Sequence, residues 1–91
     1  MSIERLVDAA VERHAKGDTS YARFVLELER AVDAAEDVQD PRAGALRRLW
    51  GDLEILNALR DGTAITSADE QEVAEVVSQV RAILAGNDRR A

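Results

Sequence analysis

The segment from Ala45 to Leu59, ALRRLWGDLEILNAL, carries the most apolar helical pattern in the chain and decides the fold. At about 100° per residue, its apolar residues fall in one arc roughly 220° wide around a helical axis. An amphipathic surface helix needs an apolar stripe only a little over ~100° wide. The segment is therefore predicted to be a helix that neighbours cover on more than one side. The arc contains Ala45, Leu46, Leu49, Trp50, Leu53, Ile55, Leu56 and Leu59.

Start and stop signals divide the rest of the chain into further helices. Ser2 can cap the first helix, and Gly17 suits its C-terminal end. A second start signal lies at residues 18–20. Pro41 follows an aspartate and suits the first position of the third helix, since proline lacks the N–H that this position leaves unpaired. The predicted helices span residues 3–15, 19–37, 41–61 and 67–85.

The fourth helix has a competing interpretation, because the valine-rich residues 73–80 also suit a strand. Apolar residues spaced by three and four decide for a helix. Thr66 or Ser67 is expected to cap it, at capping-box distance from an acidic residue. Negative charge in the opening turns is explained by the helix dipole and does not indicate a metal site. The acidic residues there are Asp69, Glu70, Glu72 and Glu75.

Four helices joined by short connections predict an all-α, antiparallel (up-down) four-helix bundle. We expect one helical domain over residues 1–86 and a disordered polar tail over residues 87–91. The chain has no cysteine, so packing alone must stabilise the domain. The first helix is the shortest, which predicts an incompletely covered groove beside it.

Charge and motif content argue against several functions. A formal net charge of −6 disfavours binding to nucleic acid or to an anionic membrane. Charged residues within residues 1–5 interrupt the apolar run that a signal peptide needs, so a cytoplasmic protein is expected. No glutamate is followed three residues later by histidine, and no nucleophile motif or glycine-rich phosphate loop occurs. These observations predict a protein that is not an enzyme and binds no metal or cofactor.

A row of small residues on the third helix is the feature of the sequence that the predicted fold does not account for. Gly44, Gly51 and Ala58 are spaced by seven and fall beside Ile55 on one side of the helix. Each glycine in a helix costs about 0.5–1 kcal/mol relative to alanine, so close approach of another helix should offset the cost. That helix can belong to the bundle, the favoured explanation, or to a second chain. The candidate interface comprises Gly44, Arg48, Gly51, Asp52, Ile55 and Ala58.

The main functional hypothesis is a small acidic, non-catalytic module that binds another protein. An adaptor, a regulatory subunit and an immunity-type protein remain equally open, as does a homodimer formed through the third helix. The alternative is a small-ligand-binding bundle or helical enzyme with a site in the groove beside the first helix. Its polar edge would comprise His14, Tyr21, Trp50 and Asn57.

Overall fold

The computed structural model describes residues 2–86, and this part of the chain forms four helices and no strand. They are α1 (Ile3–Ala15), α2 (Tyr21–Asp37), α3 (Ala43–Arg60) and α4 (Ser67–Ala85). Consecutive helices pack against each other, and connections of five or six residues (16–20, 38–42 and 61–66) make successive helices antiparallel. The predicted four-helix bundle is confirmed. The tail predicted over residues 87–91 lies outside the described residues.

Local hydrogen bonds explain where two helices begin later than predicted. α2 begins at residue 21, not 19, because the Ser20 hydroxyl accepts the backbone N–H of Arg23 at 3.1 Å and acts as the cap. α3 begins at residue 43, not 41. The Asp40 carboxylate accepts the backbone N–H of Arg42 at 2.8 Å, and the Asp40 carbonyl accepts the N–H of Ala43 at 3.0 Å, so residues 41–42 form a tight turn before the α-helix starts.

The start of α4 is fixed by the predicted capping box. The Thr66 hydroxyl accepts the Asp69 N–H at 3.1 Å, and the Asp69 carboxylate accepts the Thr66 N–H at 2.9 Å. Arg60, at the end of α3, donates two further hydrogen bonds to the same carboxylate, at 2.6 and 2.8 Å. These bonds explain how Asp69 can be only 5% exposed, and they orient α4 against α3.

α2 has more buried residues than α3, although α3 contains the most apolar segment of the sequence. Phe24 is fully buried. Leu53 and Leu46 of α3 are each only 2% exposed, so the centre of the core lies between α2 and α3. The buried residues of α2 are Tyr21, Phe24, Val25, Leu28, Ala31, Val32 and Ala35, whereas those of α3 are Ala43, Leu46, Leu49 and Leu53.

α3 contacts both α2 and α4, as predicted, but these two neighbours cover only part of its apolar arc. α2 and α4 cover one side of the arc, but Ile55 and Leu59 are 62% and 74% exposed. The physical reason is topological. Since α1 packs mainly against α2, no element within residues 2–86 is left to lie over the outer edge of α3.

Two arginines tie the helices together at the surface. Arg47 on α3 donates to Glu36 at 2.8 and 2.9 Å and to Asp33 at 2.8 Å, both on α2. Arg42 pairs with Asp40 at 2.7 Å and with Glu4 at 3.3 Å. It also donates to the Leu84 carbonyl at 3.3 Å, so it links the start of α1 to the end of α4.

Candidate functional site

The six predicted interface residues lie on one side of α3 and face solvent. Gly44, Arg48, Asp52, Ile55 and Ala58 are exposed, and Gly51 is half-buried. Leu59, one turn after Ile55, extends the same surface. We call this surface the α3 outer face, defined by Gly44, Arg48, Gly51, Asp52, Ile55, Ala58 and Leu59.

The glycines of the α3 outer face are not sites of close helix packing within this chain. A Cβ atom built on Gly44 or Gly51 would meet no neighbouring heavy atom within 4 Å in the part of the chain that the structure describes. The favoured explanation, in which a helix of the same bundle approaches these glycines, is therefore wrong. The bundle packs on the opposite side of α3, through Leu46, Leu49 and Leu53.

An open groove of about 480 Å³ runs beside the α3 outer face, between α3 and α4. Ile55, Leu56 and Leu59 supply its α3 wall, and Val76 lies on the α4 wall. Leu56 and Val76 are half-buried, so apolar surface continues from the core out to the exposed Ile55 and Leu59. We call this feature the α3–α4 groove.

The rim of the α3–α4 groove is acidic. Asp52, Glu72 and Glu75 line it, and none of them forms an ion pair with another residue between Ser2 and Gly86. The flank of α3 beside α2 differs, because there Arg47 pairs with acidic residues of α2. Its contact with Glu36 lowers the pKa of that carboxyl and raises the pKa of Arg47. Carboxylates without an ion pair among the described residues are thus concentrated beside the exposed apolar residues, and the described cation that acts on them is Arg60, whose pKa is raised in part by the charge of Glu72.

The alternative ligand site is only partly assembled. His14, Tyr21 and Asn57 line one cavity of about 450 Å³ at the end of the bundle, together with residues 62–65. Trp50 is not part of it. Its indole N–H donates to the Val25 carbonyl at 2.9 Å between α2 and α3, and the Arg47 guanidinium lies 5.0 Å from its ring centroid.

Tyr21 has a structural use for its hydroxyl. The O–H donates to the Leu53 carbonyl at 2.8 Å in the buried contact between α2 and α3. Burial raises the pKa of Tyr21 above its ordinary value, and the charges of Asp69 and Glu54 raise it further. The phenol therefore stays protonated at neutral pH as a donor to the backbone, which argues against a role in proton transfer.

His14 lies where the cavity meets the groove that was predicted beside the first helix. That groove, between α1 and α4, has a volume of about 540 Å³, and Val11 and Val77 are among its lining residues. The His14 ring stacks on Phe24 with centroids 4.4 Å apart. Its Nδ1 atom is buried and has no hydrogen-bond partner among the described residues. Packing on Phe24 therefore accounts for the position of the ring.

Sequence reasoning did not place Leu59, Glu72, Glu75 or Val76 at a functional site. Leu59 was assigned to the covered arc, although its position beside Ile55 on the helical wheel was visible. Glu72 and Glu75 were explained by the dipole of α4, and Val76 by its core stripe. Which edge of α4 faces α3 could be known only from the packing of the helices.

No protein family, curated protein or solved structure matches this chain. Within residues 2–86, no group of three or more histidine, aspartate, glutamate or cysteine side chains is placed to hold a metal ion. No helix in this range is long and apolar enough to cross a membrane. The class defined by the structure is a small all-α four-helix bundle with an open α3–α4 groove.

Proposed function

We propose that this protein is a non-catalytic interaction module that binds another protein through the α3 outer face and the adjoining α3–α4 groove. The observation that carries the proposal is the exposure of Ile55 and Leu59 beside half-buried Leu56 and Val76. Single exposed apolar residues are common, but a contiguous apolar surface with a polar rim is typical of interaction sites. An adaptor, a regulatory subunit and an immunity-type protein all remain within this proposal.

The glycines of α3 provide a second argument that the α3 outer face is the interaction surface. Gly44 and Gly51 lower helix stability, and no packing within the described chain offsets this cost. An approaching partner would use the space that the missing side chains leave. The alternative ligand site has less support, because Tyr21 and Trp50 already donate to backbone carbonyls.

Site-specific photo-crosslinking tests the proposal. We would replace Leu59 by the photo-reactive p-benzoylphenylalanine and irradiate cells of the native host. The matched control carries the same group in place of Leu26, which is 44% exposed on α2. A discrete crosslinked product from position 59 and not from position 26 is expected. Identical products from both positions, or none from position 59, would contradict the proposal.

A substitution on the α3 outer face gives a second, independent readout. Gly51→Leu should abolish the crosslink from position 59 while the helical circular dichroism of the isolated protein is unchanged, because space is open above Gly51. A loss of helicity would show that Gly51 is required inside the fold. Light scattering of the purified chain identifies self-association, since a homodimer would have twice the mass of the chain.

A further inference from the structure

We infer that the α3–α4 groove takes a basic amphipathic helix, in which a row of aliphatic side chains is flanked by lysine or arginine. This inference rests on the proposed function and names the chemistry of the partner. Its first support is the shape of the site, an open groove between two helices with apolar walls. A helix with apolar residues at positions i, i+3, i+4 and i+7 is the element that such a groove ordinarily receives.

The negative charge on both sides of the α3–α4 groove indicates that the flanks of the partner helix are basic. Asp52 lies on the α3 side of the groove, and Glu72 and Glu75 lie on the α4 side. Since these carboxylates have no ion-pair partner among residues 2–86, they are free to meet cations on both flanks of a docked helix. Such complementarity accelerates association and excludes acidic partners.

The same charges argue against a second copy of this chain in the groove. A twofold interface brings the same surface of both copies together, so Asp52, Glu72 and Glu75 of one copy would face carboxylates of the other. Arg48 precedes Asp52 by one turn and is not among the residues that line the groove.

Three synthetic 18-residue peptides would serve as probes. The first has leucines along one helical face and lysine or arginine on the flanks. The second has the same leucines with glutamate on the flanks. The third has the composition of the first with its leucines scattered around the helix. Binding would be followed by two-dimensional NMR, which gives both affinity and location.

We expect the basic peptide to bind with shifts concentrated at Ile55, Leu59 and Val76. The acidic and scattered peptides should bind at least about tenfold more weakly. Raising the salt concentration should weaken binding of the basic peptide, because salt screens the attraction between exposed charges. Shifts centred elsewhere on the protein would overturn the inference.

Charge reversal on the rim separates local complementarity from net charge. The double variant Glu72→Lys/Glu75→Lys should bind the basic peptide at least about tenfold more weakly than the parent protein does, and should bind the acidic peptide more tightly. Asp18→Lys/Asp37→Lys is the matched control at exposed residues outside the groove. Each substitution replaces a negative charge by a positive one and so raises the net charge by two, which takes both double variants from −6 to −2. Equal weakening by the two variants would overturn the inference.

The outcomes also separate this inference from the proposed function. Equal binding of acidic and basic peptides in the groove would refute the partner chemistry and leave a helix-binding surface in place. A dimer formed through the groove would refute it in favour of a second copy. Absence of peptide binding at the groove together with a discrete crosslink from position 59 would show that the partner uses another chemistry. Absence of both would refute the proposed function as well.

Discussion

Replacing the two glycines of the α3 outer face by alanine should stabilise the isolated protein. Gly44 and Gly51 are in the right-handed helical conformation, and an added Cβ atom would meet no neighbour within 4 Å in the described chain. Alanine is favoured over glycine in a helix by about 0.5–1 kcal/mol, because it restricts the unfolded chain. Since the positions are two turns apart and share no contact, the double variant should gain about 1–2 kcal/mol.

Thermal unfolding followed by circular dichroism measures this gain. For a domain of this size, about 1 kcal/mol raises Tm by roughly 4–8 °C, so the double variant should unfold roughly 4–16 °C higher than the parent. Gly62→Ala is the matched control. Its φ of 88° is in the left-handed region, which costs an alanine roughly 1–2 kcal/mol, so its Tm should fall. A lower Tm for the double variant at low protein concentration would refute the reasoning, since it would mean that the glycines are covered in the isolated chain.

Three further predictions concern the core and the ion pairs. Phe24→Ala should lower the free energy of unfolding by about 3–5 kcal/mol in urea titrations, because the ring is fully buried; a loss below about 1 kcal/mol would contradict the described core. Tyr21→Phe should cost about 0.5–1.5 kcal/mol, since it removes the buried donor to the Leu53 carbonyl, and unchanged stability would contradict that role. Hydrogen bonds from Arg42 and Arg60 lower the pKa values of Asp40 and Asp69 from 3.8 to about 2. Because the unfolded chain takes up these protons first, the stabilisation is present above about pH 4 and lost as the pH falls through 2. Urea midpoints from pH 5 to 2 should show this decline, and Asp69→Asn should make it shallower; an equal slope in that variant would contradict the assignment.

The helices could be located from sequence because their end signals are local. Thr66 and Asp69 are three residues apart, and their hydrogen bonds depend on little beyond that spacing. The first residue of α3 was harder to predict from the sequence. Asp40 was expected to cap a helix starting at Pro41, and its carboxylate does accept the Arg42 N–H. The first turn is tighter than an α-helix, because the Ala43 N–H donates to the Asp40 carbonyl, and Arg42 is also held by Glu4 and α4.

The covered side of α3 could not be predicted from periodicity. A helical wheel shows that Ile55 and Leu59 adjoin the core residues, but it does not show how many neighbours the helix has. The answer depends on α1 packing against α2, which involves contacts distant in sequence. For the same reason Trp50 was grouped with His14 in the predicted ligand site. In the structure its indole N–H donates to the Val25 carbonyl, away from the cavity that His14 lines.

Methyl NMR with a soluble gadolinium chelate tests most directly whether the outer edge of α3 is uncovered in this chain. Relaxation enhancement by the chelate depends on how closely it can approach each methyl group. In the isolated protein, over a dilution series, the methyl groups of Ile55 and Leu59 should relax strongly, and those of buried Leu53 and Ile83 should not. Equal shielding of Ile55 and Leu53 at the lowest concentration would contradict the account.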